Sequence, residues 1–330
     1  MKSQNILFLV SFLIISTFVI ADYEITTKSG TVDGYKKNNI LYWDDIPYAE
    51  PPIKELRWKA PRRINDPANI ILPKEGNFCF QRPSSLGGAE GEGIYTGSED
   101  CLYLDIIAPA KKNDKPLPVM FWIHGGGNTS GLKDLYDFSK MARKHDVIVV
   151  RINYRLGPFG WFTHPSVQDF QTGLDKSSNF GTLDIIAALH WVQENIHLFG
   201  GDKDNVTIFG ESAGGHNVFS LLVSEKSKGL FHKAISMSGY TTSITPDDAY
   251  KQKTKSSTSN YSSWNVVNKI LKDQVESTKN RDYTKEDVRG ILLNLSSEEF
   301  FKYYSERESY EELPLLTSDG IVIPEIGLRK

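Results

Sequence analysis

The sequence predicts an α/β fold, in which helices cover both faces of a mostly parallel, twisted sheet. Leu117–Ile123 (LPVMFWI) and Val147–Ile152 (VIVVRI) are continuous, β-rich apolar runs, which are typical of strands buried on both faces. Strand and helix patterns then alternate as far as Met237, and this order favours parallel pairing. With 330 residues, of which 39% are hydrophobic, the chain can bury a large core.

The composition excludes several other classes of protein. Aromatic residues at 12% and charged residues at 24% exclude a disordered chain, a collagen and a coiled coil. The 38 basic and 41 acidic residues include no long basic run, which argues against a nucleic-acid partner. Two cysteines are too few for a disulfide-framed miniprotein or a cysteine-ligated zinc module, and no other motif indicates a metal or a cofactor.

The amino-terminal segment has the pattern of a secretory signal peptide. Ile6–Ile20 is mostly apolar and shorter than the about 20 residues that a membrane-spanning helix needs. Small residues up to Ala21 form a cleavage site, so the mature chain would begin at Asp22. We therefore predict a signal peptide at residues 1–21, a domain at residues 22–330, an extracellular location and no later membrane-spanning segment. An uncleaved membrane anchor is the alternative.

The next segment predicts a β-hairpin followed by a cross-linked loop. Tyr23–Tyr48 alternates polar and apolar residues around glycines, which is typical of antiparallel strands. Cys79 and Cys101 enclose a glycine-rich loop, and an oxidising compartment would join them; two free buried thiols are the alternative. Of the four glycosylation triplets, we expect Asn260 and Asn294 to be used, because they lie in polar surroundings.

The middle of the chain supplies the alternating helices and strands. Leu135–Lys144 is a plausible helix, and Leu183–Leu198 has apolar residues at the spacing of an amphipathic helix. Val206–Phe209 predicts another buried strand, a helix follows from Ala213, and Ala234–Met237 predicts the next strand.

The last third of the chain has a different sequence pattern. Asp247–Ser263 is rich in polar residues and predicts a surface loop. Trp264–Val275 and Lys285–Tyr304 have helical patterns, and Leu313–Pro324 predicts a turn at which a strand begins.

Gly210–Gly214 (GESAG) matches the motif G-x-S-x-G between a predicted strand and a predicted helix. Glycines on both sides of Ser212 allow a sharp turn that raises the serine hydroxyl above the edge of the sheet. We therefore predict that Ser212 is a nucleophile; a tight turn without catalytic function is the alternative.

A nucleophilic serine needs hydrogen-bond donors for the negative charge that develops on the carbonyl oxygen. His124-Gly125-Gly126-Gly127 directly follows a buried strand, where glycines let backbone N–H groups converge. We predict that Gly126, Gly127 and Ala213 donate to this oxyanion and that His124 braces the loop. A flexible surface loop is the alternative.

These motifs and their order resemble the type-B carboxylesterase family, the cholinesterase-like branch of the α/β-hydrolases. The matching segments cover most of residues 22–239. They are IPYAEPP…LRW (46–58), SEDCLYLDI (98–106), FWIHGGG (121–127), INYRLGPFGWF (152–162), NFGTLDIIAALHWVQENIHLFGGD (179–202), VTIFGESAGG (206–215) and FHKAISMSG (231–239).

The resemblance implies an α/β-hydrolase fold and the hydrolysis of small-molecule esters through an acyl-enzyme, without a cofactor. It also implies that Cys79–Cys101 is the first disulfide of the family and that Ser238 supports the catalytic triad by hydrogen bonding. We count Glu211 among the supporting residues as well.

The chain departs from the family pattern at several positions. Asn128 replaces an aromatic residue after the triple glycine, and Lys54 and Asp45 replace glycines. Choline-specific members carry a tryptophan between the first two cysteines, and this chain has none between Cys79 and Cys101. Cholinesterase activity is therefore not expected.

The histidine and the acid of a serine triad have no clear counterparts. In this fold they follow the serine along the chain. After Ser212 only His216 and His232 remain, and we interpret His216 as a polar residue on the surface of a helix. Four late carboxylates lie outside the matching context and are interpreted as a solvated acidic face: Glu311, Glu312, Asp319 and Glu325.

Two functional hypotheses remain open at this stage. In the first, the chain is a carboxyl-terminally truncated form of a secreted serine carboxylesterase, inactive or weakly active as written. In the second, it is a non-catalytic secreted binding or adhesion protein on the same fold. The sequence does not define an oligomeric state.

Overall fold

A computed structural model describes residues 23–74, 76–85, 87–111, 114–251, 262–275, 282–304 and 316–328. The predicted signal peptide, with its cleavage site at Ala21 and Asp22, lies outside the described residues, as does Asn260. Asn294 is exposed at the end of a helix, and its glycosylation remains a prediction. None of the helices in the described part of the chain is long and apolar enough to cross a membrane.

The strands of the described residues form two sheets. Seven strands pair in the order β10-β9-β7-β8-β6-β4-β3, and three pair in the order β1-β2-β5. The strands are β1 (Glu24–Thr27), β2 (Gly30–Asp33), β3 (Tyr35–Lys37), β4 (Ile40–Pro47), β5 (Ala68–Ile71), β6 (Tyr103–Pro109), β7 (Leu117–Ile123), β8 (Ile148–Ile152), β9 (Gly201–Glu211) and β10 (Lys233–Met237).

The centre of the large sheet is parallel, as the apolar runs predict. β10, β9, β7 and β8 pair in parallel, with Phe121 of β7 beside Val150 of β8 and Ile208 of β9. All three side chains are fully buried. The other side of the sheet is antiparallel, from β8 through β6 and β4 to β3. The predicted α/β fold class is confirmed, and the sheet is mixed.

Helices cover this sheet on both faces. They are α1 (Ser139–His145), α2 (Gly157–Gly160), α3 (Pro165–Gln168), α4 (Phe180–Asn195), α5 (Ala213–Val223), α6 (Pro246–Tyr250), α7 (Ser263–Val275), α8 (Lys285–Asn294) and α9 (Ser297–Phe301). The description of α4 as amphipathic is wrong, because 12 of its 16 residues are buried. The turn between β1 and β2 covers its outer side, where the indole N–H of Trp191 donates to Ser29 Oγ at 2.8 Å.

Two predicted helices differ from those observed. The helix predicted at Leu135–Lys144 begins only at Ser139, because the chain first makes a separate 3-10 turn at Lys133–Leu135; the Ser139 backbone N–H donates to Asp137 Oδ1 at 2.8 Å. The helix predicted at Lys285–Tyr304 is interrupted after Asn294, because Ser296 and Glu299 form a capping box that starts α9.

Two further predictions for the last third need correction. The predicted loop Asp247–Ser263 begins inside α6, which Thr245 caps through the N–H of Asp248 at 3.1 Å, and residues 252–261 of this prediction lie outside the described residues. Within the predicted turn and strand at Leu313–Pro324, the described residues begin at 316. Thr317 forms an isolated parallel bridge with Ile244, and residues 320–323 form the turn, but no strand follows it up to residue 324. There Asp319 Oδ1 accepts the backbone N–H groups of residues 321–323, so this carboxylate has a structural role rather than lying on a solvated face.

Strand β10 lies at the open end of the large sheet. Among the described residues it pairs only with β9. Ile235 is 45% exposed and Met237 is 38% exposed, so the strand predicted at Ala234–Met237 presents apolar side chains to solvent. An exposed strand edge with apolar side chains is a site at which chains associate.

The loop between Cys79 and Cys101 is hydrogen-bonded to the glycine loop (residues 124–131), which lies near Ser212. Cys79 and Cys101 form the predicted disulfide. Between them, the Gln81 amide donates to the carbonyls of Cys79 and Gly131 and accepts the N–H of Gly131, each at 2.9 Å. The disulfide therefore holds a loop that packs against residues 126–131.

Replacement of both Cys79 and Cys101 by serine is expected to lower the free energy of unfolding by about 3 kcal/mol, because the unfolded chain loses a closed loop. The shift in urea midpoint measures the loss. Reducing agent should shift the midpoint of the wild type by a similar amount and leave the double variant unchanged. Free thiols at both positions in non-reducing peptide maps would contradict the prediction.

Candidate active site

Ser212 lies at a sharp turn between β9 and α5. Its φ of 55° and ψ of −118° are rare for a residue with a side chain. Two backbone hydrogen bonds of 2.9 Å hold this conformation: the Ser212 N–H donates to the carbonyl of Met237, and the Ser212 carbonyl accepts from the N–H of His216. The side chain is half-buried, and its hydroxyl makes no hydrogen bond with a described residue. This geometry is that of a nucleophile elbow.

The glycine that follows Ala213 permits the elbow to pack tightly. A Cβ atom at Gly214 would lie 2.1 Å from the carbonyl oxygen of Ile123, at the end of β7. Because no side chain fits there, α5 begins in direct contact with the strand that leads into the glycine loop. The turn between strand and helix that the G-x-S-x-G motif predicts is present at Ser212.

The glycine loop lies directly against Ser212. A Cβ atom at Gly125 would be 3.4 Å from the Cβ of Ser212. The carbonyl of Gly126 accepts the backbone N–H groups of Thr129 and Ser130, each at 3.0 Å. Since C=O and N–H point in opposite directions across a trans peptide, the N–H of Gly127 faces away from these partners.

Three backbone N–H groups beside Ser212 are available as donors. Those of Gly126, Gly127 and Ala213 have no hydrogen-bond partner within the described ranges. Gly126 and Gly127 have φ values of 97° and 65°, which favour glycine. Their joint role as an oxyanion hole remains a prediction that this arrangement supports.

Gly126→Ala is expected to destabilise the loop and to slow any reaction of Ser212 by about 100-fold, because a misplaced donor no longer reaches the oxyanion. The new Cβ would lie 2.2 Å from the carbonyl oxygen of Ser130. Gly173→Ala is the matched control, since Gly173 also has a positive φ but has no atom near its Cβ position. The rate of phosphonylation of Ser212 measures the effect, and equal rates for the two variants would contradict it.

A buried network braces the glycine loop. His124 Nδ1 lies 2.8 Å from the carbonyl oxygen of Gly125, and the His124 ring stacks on Tyr154 with centroids 4.4 Å apart. The Tyr154 hydroxyl donates to the carbonyl of His124 at 2.7 Å. Asn128 Oδ1 accepts from the amide of Asn217 on α5 at 2.8 Å. Tyr154 and Asn217 are not predictable from the sequence, because a polar residue after a strand or in a helix carries no local signal of such contacts.

The His124 ring is neutral at physiological pH. Burial lowers its pKa to about 4, and the hydrogen bond with Gly125 only partly opposes this effect. Its Nε2 atom has no hydrogen-bond partner in the described part of the chain. These contacts suit the predicted bracing role of His124.

His216 is buried, so its interpretation as a polar residue on a helix surface is wrong. It is 1% exposed, and its ring lies 4.3 Å from the ring of Tyr240, which follows β10 and covers this part of α5. Burial lowers the pKa of His216 to about 4, against a smaller opposing contribution from the backbone of Thr242. Both ring nitrogens lack a hydrogen-bond partner within the described residues.

The two predicted supporting residues differ in their surroundings. Glu211 lies close to the glycine loop, since a Cβ atom at Gly125 would be 3.1 Å from its Oε2. Ser238 is exposed, with a φ of 52°. It is the hydroxyl of Ser236 that contacts α5, donating to the carbonyl of Gly215 at 3.1 Å. Supporting roles for Glu211 and Ser238 remain predictions.

Comparison with known proteins agrees with this arrangement. The sequence profile of the carboxylesterase family matches residues 21–311. Para-nitrobenzyl esterase of Bacillus subtilis (strain 168) is 45% identical over 228 residues, which are 68% of this chain and 45% of that protein. Carboxylesterase 1D of Rattus norvegicus is 37% identical over 298 residues, covering 85% of this chain and 49% of that protein.

Solved structures show the same relationship. A PNB esterase structure superposes with a TM-score of 0.73 at 35% identity, covering 92% of this chain and 58% of that chain. The carboxylesterase EST55 of Geobacillus stearothermophilus superposes with a TM-score of 0.69 at 32% identity, covering 91% and 56% of the two chains.

The chain spans about half the length of the curated relatives it matches. The profile nevertheless covers most of the sequence, and the matched region contains the elbow, the glycine loop and the sheet that positions them. Fold, motif geometry and sequence similarity agree: the chain belongs to the carboxylesterase family.

Proposed function

We propose that this protein is a serine hydrolase of carboxylic esters in which Ser212 is the nucleophile. The observation that carries the proposal is the strained elbow at Ser212, half-buried beside three backbone N–H groups that have no partner among the described residues. An elbow of this kind is costly to maintain, and such strain is concentrated at functional sites. The similarity to named esterases supports the same conclusion.

In the proposed reaction, Ser212 Oγ attacks the carbonyl carbon of an ester. The carbonyl oxygen then becomes an oxyanion, which the N–H groups of Gly126, Gly127 and Ala213 stabilise. The tetrahedral intermediate expels the alcohol and leaves an acyl group on Ser212, and water then releases the acid. The proton of the serine hydroxyl must pass to a base, and no histidine or carboxylate in the described ranges is hydrogen-bonded to Ser212.

The substrate class follows from the site and from the relatives. We propose small-molecule carboxylic esters, since one relative is named a para-nitrobenzyl esterase and others are named carboxylesterases. One matching protein of Leptinotarsa decemlineata is named an acetylcholinesterase, but no tryptophan occurs here between Cys79 and Cys101. Choline esters are therefore not proposed as substrates. The signal-like segment before Asp22 supports secretion.

The test is to map the site of covalent modification on the 330-residue chain. After prolonged incubation with a fluorophosphonate, peptide mass analysis should find the adduct on Ser212. Ser212→Ala should carry none, whereas Ser236→Ala should still be modified at Ser212. An adduct distributed over surface serines, or unchanged in Ser212→Ala, would overturn the assignment. Amino-terminal sequencing of secreted protein should begin at Asp22.

A further inference from the structure

A cavity lies on the outer side of α4, apart from the loops around Ser212. Its volume is about 360 Å³, within the range of small-molecule sites. It is lined by α4, by residues 60–64, and by Lys28 and Ser29 of the β1–β2 turn. None of its lining residues belongs to the elbow or to the glycine loop. The proposed esterase mechanism therefore makes no use of it.

The floor of this cavity is apolar. Leu183, Ile186 and Trp191 of α4 and Tyr48 line it. The polar atoms of the two large aromatic side chains are already satisfied: the Trp191 indole donates to Ser29 at 2.8 Å, and the Tyr48 hydroxyl donates to a backbone carbonyl at 2.7 Å. The floor therefore offers an apolar surface without free donors, which suits a hydrocarbon group.

The rim of the cavity carries an excess of positive charge. Glu194 is shared by two cations, Arg63 at 2.6 Å and Lys28 at 3.3 Å. Arg62 pairs with Asp175 at 2.5 Å. With Lys226 the cavity is lined by four cations and a single carboxylate, and even when Asp175 is included the group carries a net charge of +2.

Two features leave this positive charge accessible to a ligand. Lys226 is exposed and makes no ion pair within the described ranges, and the side chain of Arg63 is 74% exposed. His190 of α4 lines the same cavity, and burial together with Arg63 lowers the pKa of its imidazole while Glu194 opposes them. The cavity thus combines a cationic rim with an apolar floor.

We propose that this cavity binds a small amphiphilic carboxylate, such as a medium-chain acid. Its hydrocarbon tail lies on the floor formed by Leu183, Ile186 and Trp191, and its carboxylate lies among the cations of the rim. A carboxylate suits guanidinium and ammonium groups in geometry and charge. The site is separate from Ser212, so it accepts its ligand whether or not the proposed ester hydrolysis takes place.

Octanoate is the probe, added to the full 330-residue chain and followed by calorimetry and by NMR of the histidine rings. We expect a Kd of about 1 mM or tighter for a ligand of this size. Octanol, which lacks the charge, and acetate, which lacks the tail, should each bind at least about tenfold more weakly. The bound carboxylate should raise the pKa of His190. The ring signals of His145 on α1, which does not line the cavity, should not move when octanoate is added.

Substitutions in the cavity test the binding of the ligand's carboxylate and of its hydrocarbon tail separately. The double variant Arg63→Glu/Lys226→Glu should weaken octanoate binding at least about tenfold, because it reverses the charge of the rim. The double variant Lys203→Glu/Lys233→Glu makes the same charge change at exposed positions outside the cavity and should bind normally. Ala187→Trp should block the tail by filling the cavity. Equal binding of octanoate and octanol, equal binding by the two charge-reversed variants, or a heat signal without a change at His190 would overturn the proposal.

Discussion

Replacement of Lys133 by methionine is expected to lower the free energy of unfolding by about 3–5 kcal/mol, because it leaves buried carboxylates without their cation. The Lys133 side chain is only 2% exposed. Its Nζ atom lies 2.8 Å from Asp105, 2.9 Å from Asp45 and 3.0 Å from Asp134. Of the described residues, Arg151 would then be the cation left in an ion pair with Asp105 and Asp134. The shift in urea midpoint at pH 7 measures the loss.

The same cluster predicts how this loss changes with pH. Burial raises the pKa of Asp105, but Lys133 and Arg151 more than compensate and hold it below its usual value. The stability that Asp105 contributes is therefore present above its unfolded pKa of about 3.9 and is lost as the pH falls through its folded pKa. Burial and the charge of Asp105 raise the pKa of Asp134. The contribution of Asp134 to stability therefore changes with pH in the opposite direction and falls as the pH rises. The difference between wild type and Lys133→Met should thus shrink as the pH falls below about 4.

An exposed lysine and a second substitution serve as controls. Lys203 pairs with Asp204 at the surface, so Lys203→Met should change stability by less than about 0.5 kcal/mol. Adding Asp45→Asn to Lys133→Met should cost less than the sum of the two single effects, because it removes one of the uncompensated charges. A loss below about 1 kcal/mol for Lys133→Met would contradict a stabilising role for the cluster.

Sequence alone could not predict this cluster. Lys133 follows the glycine loop, stands beside Asp134 and in the sequence resembles any surface lysine. It is buried because β6 supplies Asp105 and an irregularity in β4 supplies Asp45, both distant along the chain. The four parallel strands and the elbow were predictable, since each depends on a local pattern of apolar residues or glycines.

The three residues that depart from the family pattern share an unusual backbone conformation. Asp45, Lys54 and Asn128 were noted because the family has other residues there. All three adopt a positive φ, of 58°, 51° and 59° respectively. At Asp45 the carboxylate accepts the N–H of Lys74 at 3.0 Å and the amide of Asn77 at 2.6 Å, contacts that glycine could not make. The sequence showed the departures, but the compensating partners depend on contacts between distant segments.

The burial of His216 also could not be predicted from the sequence. Its position one turn into α5 favoured a surface site, since helical periodicity describes only the helix itself. Tyr240, which follows β10, lies over this face and buries the imidazole. What a later loop places over a helix is not encoded in the periodicity of that helix.

The 330-residue chain should react with a fluorophosphonate at least about 10³-fold more slowly than a relative such as para-nitrobenzyl esterase. A serine hydroxyl is a weak nucleophile unless a positioned base takes its proton. All seven histidines of the sequence lie within the described residues, and none is hydrogen-bonded to Ser212. The comparison is between second-order rate constants for fluorescent labelling at pH 7.

His216, which is close to Ser212 along the chain, and His124, which lies in the glycine loop, are both poor bases. Burial lowers the pKa of both His124 and His216 to about 4, far from the value near the working pH that favours proton transfer. Neither is hydrogen-bonded to a carboxylate among the described residues, so neither imidazolium would be stabilised as in a triad. Residual reactivity would then come from the oxyanion donors alone, and Ser212→Ala should remove it. Rapid, Ser212-dependent labelling would contradict this argument, and loss of that labelling in His216→Asn would identify the base.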